Sequence, residues 1–97
     1  MAKLNWTVEA ESWLHDIYSF IVADNPAAAA EVVEGIYERA QHLERFPEIG
    51  YRYEGADSDV RILLYGHYRI AYVLKAPEEI DILGVFHGAL DIERYLV

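Results

Sequence analysis

Apolar positions along this chain change their spacing twice, and each change marks a new kind of element. Lys3 to Trp6 alternates polar and apolar, with Leu4 and Trp6 on one side, which predicts a short first strand. Ala10, Trp13, Leu14, Ile17, Phe20 and Ile21 then recur at three- and four-residue steps, the period of a helix that buries one stripe. Thr7 offers the N-cap, and Glu9 and Glu11 put negative charge at the positive helix end. This helix should run to about Ala23 and stop at Asp24-Asn25-Pro26. Pro26 lacks the N–H needed to extend one helix but suits the first position of the next, with Asn25 or Asp24 as cap. The second helix carries Ala29, Val33, Ile36, Tyr37, Ala40 and Leu43 on its stripe, with Glu31, Glu34, Glu38 and Glu44 mostly opposite, and ends at Pro47. So short a connection requires the two helices to lie antiparallel.

Residues 47–59 read as a polar loop. Beyond them the spacing shortens to that of strands. Val60–Tyr65 and Tyr68–Val73 flank Gly66-His67, a two-residue hairpin turn with Gly at its first central position. That turn sets Tyr65 opposite Tyr68, Leu64 opposite Arg69 and Arg61 opposite Tyr72. One hairpin face then holds Arg61, Leu63, Tyr65, Tyr68, Ile70 and Tyr72; the other holds Val60, Ile62, Leu64, Arg69, Ala71 and Val73. Both are largely apolar, so one should pack on the helices and the other needs cover from the C-terminal turn or from outside the chain. A last strand spans Ile80 to Phe86, its register open because the length of the preceding turn is ambiguous. Asp91 can cap a final helical turn bearing Ile92, Tyr95 and Leu96. The expected fold is α+β: one domain over residues 1–97, ordered β-α-α-β-β-β, with a helical hairpin on a small antiparallel sheet and a short C-terminal helix.

Composition narrows the chemistry. With 97 residues, 54% hydrophobic and 13% aromatic, one compact core is expected and disorder is not. The absence of cysteine removes disulfides, thiolate metal sites and cysteine nucleophiles. No apolar run approaches the roughly 20 residues of a membrane span, and residues 1–20 lack a signal-peptide pattern, so a cytoplasmic protein is expected. The net charge of −9 argues against direct DNA binding, which needs clustered cations. Nine carboxylates fall between Glu9 and Glu48 against Arg39 and Arg45. Three acids face Arg52, Arg61, Arg69 and Lys75 over residues 49–75. A local cationic site on an acidic body, or a basic partner, would fit this distribution. His15, His42, His67 and His87 do not fall at metal-ligand spacing, and no cofactor motif is present.

Charges inside apolar strands draw attention to Arg61 and Arg69. Arg69 faces Leu64, which cannot pair with it, so it must reach solvent, a carboxylate or a partner. Arg61 can stack on Tyr72 opposite, worth roughly 0.5–1 kcal/mol at an exposed site. Tyr65, Tyr68 and Tyr72 form a cross-strand ladder whose ordinary role is sheet packing, though an uncovered aromatic stripe also suits a docking helix. His87 closes the last strand and has the pKa range of an acid or base.

Six short words occur in order along nearly the whole chain: Trp6-Thr7 with Ala10, Asp24-Asn25-Pro26-x-x-Ala29-Ala30, Leu43-x-x-Phe46-Pro47-x-x-Gly50, Val60-Arg61, Tyr68-Arg69-Ile70-x-Tyr72 and Val85-x-His87-Gly88-Ala89-x-Asp91. Together they resemble the ParE/RelE superfamily of toxins from bacterial type II toxin–antitoxin modules. The resemblance implies a growth-inhibiting toxin wrapped and neutralised by a cognate antitoxin, in a hetero-oligomer, with no cofactor. ParE-like members poison DNA gyrase; RelE-like members cleave mRNA in the ribosome without a metal. For cleavage, the resemblance points to Arg69 as the cation, with His87 or Tyr95 for proton transfer. The common ending His-Gly-x-Arg-Asp is broken here by Leu90, which removes a cation that RNA chemistry would use. Binding is therefore ranked above cleavage, with Arg52, Arg61, Tyr65, Tyr68 and Tyr72 as expected partner contacts. Arg52 lies close to a basic position common in the family. A third possibility is an inactive member that only binds an antitoxin-like partner.

Overall fold

The computed structural model describes residues 1–88; the expected C-terminal helix, Leu90 and Tyr95 lie outside them. Strand β1 (Lys3–Trp6) leads into α1 (Val8–Val22), α2 (Pro26–Gln41), a 3-10 turn (His42–Glu44), then β2 (Tyr51–Arg52), β3 (Val60–Tyr65), β4 (Tyr68–Ala76) and β5 (Glu79–His87). Thr7 does two jobs at the first junction. Its hydroxyl accepts from the Ala10 N–H at 3.1 Å, capping α1, and donates to the Ile82 carbonyl at 2.6 Å, pinning that cap to the sheet. Asn25 caps α2 through the Ala28 N–H, with Pro26 in the first turn. The second helix ends at Gln41, earlier than Pro47 suggested. Its last turn tightens so that Leu43 enters the core.

The hairpin register is as read from its turn: Tyr65 pairs with Tyr68, Leu64 with Arg69, Arg61 with Tyr72. Gly66 takes a φ of +58°, which a side chain would disfavour. Two features of the sheet differ from expectation. It has five strands in the order β1-β5-β4-β3-β2 and is mixed, because β1 pairs with β5 in parallel, Leu4 beside Ile80 and Trp6 beside Ile82. A parallel pair needs a long crossover, which the helices and the β3–β4 hairpin together supply. The added strand, β2, is two residues long and lies inside the segment read as loop.

Strand β5 bulges at Leu83: Tyr72 pairs with Ile82, but Ala71 pairs with Gly84. One extra residue shifts the alternation, so Ile80, Ile82 and Val85 all join the helix-side core despite their uneven spacing. That core also takes Ala10 and Leu14 from α1, Ile36 and Ala40 from α2, and Leu63, Ile70 and Tyr72 from the hairpin. A smaller cluster of Ile62, Ala71 and Phe86 packs with Tyr53 and Leu83, and Trp13 meets the Phe86 ring edge-on at 4.8 Å. Across the helical pair, the Tyr37 hydroxyl donates to a Glu11 carboxylate oxygen at 2.8 Å. Burial first, and then this carboxylate, push the Tyr37 phenol up to about 12. No helix among the described residues is long and apolar enough to cross a membrane.

Candidate functional site

The residues singled out in the sequence fall into three separate places. The first is a clamp beneath the segment 47–50. Tyr72 is wholly buried; its hydroxyl donates to the Pro47 carbonyl at 2.8 Å and accepts from the Gly50 N–H at 3.0 Å. Burial raises its pKa, so the phenol stays neutral and can donate. Arg61, whose side chain is 14% exposed, donates to the carbonyls of Glu48 and Gly50 and to Asp59 Oδ1, all at 3.2 Å. The two expected partner contacts thus hold a loop from inside, and Tyr72 has no surface to offer. Arg61 spends its donors on the loop instead of stacking on a free tyrosine face.

The second place is the sheet face turned away from the helices. Arg69 donates to the Tyr51 hydroxyl at 2.6 Å, beside a half-exposed Leu64 whose carbonyl accepts from Arg39 Nε at 3.1 Å. Arg52 is the cross-strand partner of Arg61 and belongs with the clamp instead, extending toward the same Asp59 carboxylate oxygen at 3.7 Å with its side chain two-thirds exposed. Exposed pairs of this kind contribute little to stability.

The third is a groove of about 310 Å³ between α1 and the hairpin end of the sheet. Trp13, Asp16, Ile17, Phe20 and Ile21 form its helical wall; Tyr68, Val85 and His87 form the sheet wall. Tyr68 and His87 are cross-strand partners with rings 5.3 Å apart, edge to face, and His67 stands 6.2 Å from His87. Tyr65, next along the same face, rests its ring against Gly35 of α2, where any Cβ would collide with it.

These positions decide which expected residues can act together. Tyr68 pairs with His87, and Arg69 pairs with Phe86. Successive strand residues point to opposite faces, so Arg69 and His87 project from opposite sides of the sheet and do not share one phosphate. Tyr95, the third member of that expected set, lies outside the described residues. The helical wall of the groove was not expected as a site. Phe20 was placed on the core stripe of α1, yet it is 83% exposed. The overlooked signal was Asp16 at the stripe's margin: a carboxylate beside Trp13 and Phe20 marks a flank the core does not cover.

The chain matches the family model described as the ParE toxin of the type II toxin–antitoxin system parDE over residues 4–92. Among solved structures, a chain of the chromosomal ParDE toxin–antitoxin system of P. aeruginosa superposes with a TM-score of 0.78 at 26% identity, covering 92% of this chain and 98% of that one. A chain of the RelBE2 toxin–antitoxin complex of Mycobacterium tuberculosis superposes at 0.62 with 24% identity, covering 90% and 98%, a likeness of fold. No curated protein matches the chain in sequence.

Proposed function

This chain belongs to the ParE family of toxins from type II toxin–antitoxin systems, and we propose that it arrests growth by binding a target protein and is neutralised by a cognate antitoxin. DNA gyrase is the target that ParE-like character implies. The separation of Arg69 from His87 on opposite sheet faces carries this reading. Metal-free RNA cleavage needs a cation and a proton-transfer group converging on one phosphate. The surface instead offers an aromatic groove and a rigidly held loop on a body of net charge −9, features that suit a protein partner better than RNA.

Induction in bacteria tests this directly. Growth should stop, and co-expression of the short reading frame beside the gene should restore it. Translated transcripts mapped by primer extension should carry no new 5′ ends. New ends that vanish in an Arg69→Ala variant would establish the ribosome-dependent endonuclease in its place. Growth that continues without any antitoxin would mark the chain as a family member that only binds a partner.

A further inference from the structure

We infer that the edge of the sheet at β2 and Leu64 is the surface that takes the target protein, and that it takes an acidic segment, with carboxylates on Arg39 and Arg69 and an apolar side chain against Leu64, Ile49 and Phe46. This rests on the proposed binding-toxin reading and specifies the chemistry of the target's contact.

Three observations carry it. First, this edge holds cations that nothing neutralises, on a chain with 17 acidic residues against 8 lysines and arginines. Arg52 and Arg61 share Asp59, and Lys75 takes Asp81. Arg39, Arg45 and Arg69 have no carboxylate partner among the described residues. Glu48, the carboxylate within residues 45–51, faces Arg61 at 3.9 Å. Neutral acceptors aim two of these arginines instead: the Tyr51 hydroxyl for Arg69, and the Leu64 carbonyl for Arg39, with His42 Nδ1 3.3 Å from it. Such an acceptor fixes a guanidinium's direction without cancelling its charge, and the remaining N–H groups stay available for a carboxylate.

Second, the apolar side chains around these cations are uncovered. Phe46, Ile49, Tyr51 and Leu64 are each between 46% and 58% exposed. They form one surface. Arg69 pairs with Leu64 across the hairpin, and Arg39 reaches the Leu64 carbonyl from α2. Tyr51 pairs with Ile62 antiparallel, so the residues before it run on the Leu64 side. The Ile49 N–H donates to the Phe46 carbonyl, and the Phe46 N–H to that of His42, which returns the strip to the end of α2. An apolar centre beside oriented cations complements an acidic segment that carries an apolar anchor. Third, the surface is built in advance. Tyr72 and Arg61 hold residues 47–50 from beneath, so little ordering remains to oppose binding. A toxin reaches its target as the free chain, the state in which this surface stands ready. A nucleic acid would bring charge along its whole length to a body of net charge −9, and aliphatic Leu64 and Ile49 give its bases nothing to stack on.

The test measures binding of the labelled full chain to purified gyrase and, separately, to the purified product of the neighbouring reading frame, by fluorescence anisotropy. Arg39→Glu, Arg69→Glu and Phe46→Ala should each weaken gyrase binding about tenfold or more, the scale of a central interface residue. Arg69→Lys, which keeps the charge, should stay within about threefold. Lys3→Glu, an equal charge reversal on β1 at the opposite edge of the sheet, should stay within about twofold. All variants should keep the wild-type circular dichroism and bind the neighbouring product within about threefold, which shows them folded. The inference is overturned if the three weakening variants bind gyrase like wild type; the toxin reading then stands while this edge is released. It is equally overturned if they lose the neighbouring product by the same factor as gyrase, which would make the edge the antitoxin's, or if the wild-type chain binds RNA through Arg39 and Arg69. A wild-type chain that leaves gyrase unbound takes down the target and this surface together.

Discussion

Replacing Tyr72 with phenylalanine keeps the buried ring and removes one oxygen, so it isolates the clamp under residues 47–50. Two hydrogen bonds disappear: the donation to the Pro47 carbonyl and the acceptance from the Gly50 N–H. Each is worth about 1 kcal/mol net, and Gly50 is buried, so its N–H is left without that partner at a further cost of about 1 kcal/mol or more. The expected loss is about 2–3 kcal/mol, since no cavity larger than one oxygen is created. For a domain of this size that corresponds to a melting point lowered by roughly 10–20 °C. Urea unfolding followed by tryptophan fluorescence measures it, with Tyr65→Phe as the control because that hydroxyl lies against Gly35 at the helix surface. A drop in midpoint with unchanged slope would fit lost hydrogen bonds alone. If Tyr72→Phe matches Tyr65→Phe within about 0.5 kcal/mol, the clamp does not hold the loop as described.

Gly35→Ala should also destabilise, by about 1 kcal/mol, although the same change in an open helix stabilises by about that much. The reversal comes from the Tyr65 ring, so in a Tyr65→Ala background Gly35→Ala should become stabilising; chemical denaturation of the four proteins gives both signs. Tyr37 predicts a pH effect. Its phenol is raised from 10.0 to about 12, so the fold favours the protonated form. That contribution is complete below pH 10 and is lost as pH rises toward 12. Wild type should therefore lose stability more steeply than Tyr37→Phe across that window, and equal slopes would refute the account of a phenol held protonated by burial and by the Glu11 carboxylate.

What could be read in advance depended on how much freedom the chain left at each point. The β3–β4 register was legible because a two-residue turn at Gly66-His67 admits one alignment of its strands. The β5 register was not, since Leu83 is an extra residue that alternation cannot signal. Strand β2 escaped notice because two residues carry no period, and the parallel placement of β1 depends on tertiary packing. Arg61 and Tyr72 illustrate the limit for sites. Their residue types suggested a partner surface, while their hydrogen bonds turn inward to carbonyls that no side-chain pattern records. Phe20 shows the converse: periodicity locates a helix stripe but not the margin where cover stops. Leu14 at the centre is 3% exposed, and Phe20 on the flank 83%.

Gyrase supercoiling of relaxed plasmid, titrated with the purified chain, tests the central claim most directly. A binding toxin of the ParE type should suppress supercoiling as the chain is added, and the purified antitoxin should restore it, with ribosome-bound mRNA left intact in a parallel reaction. Gyrase activity untouched at saturating chain, together with cleaved mRNA, would contradict the account.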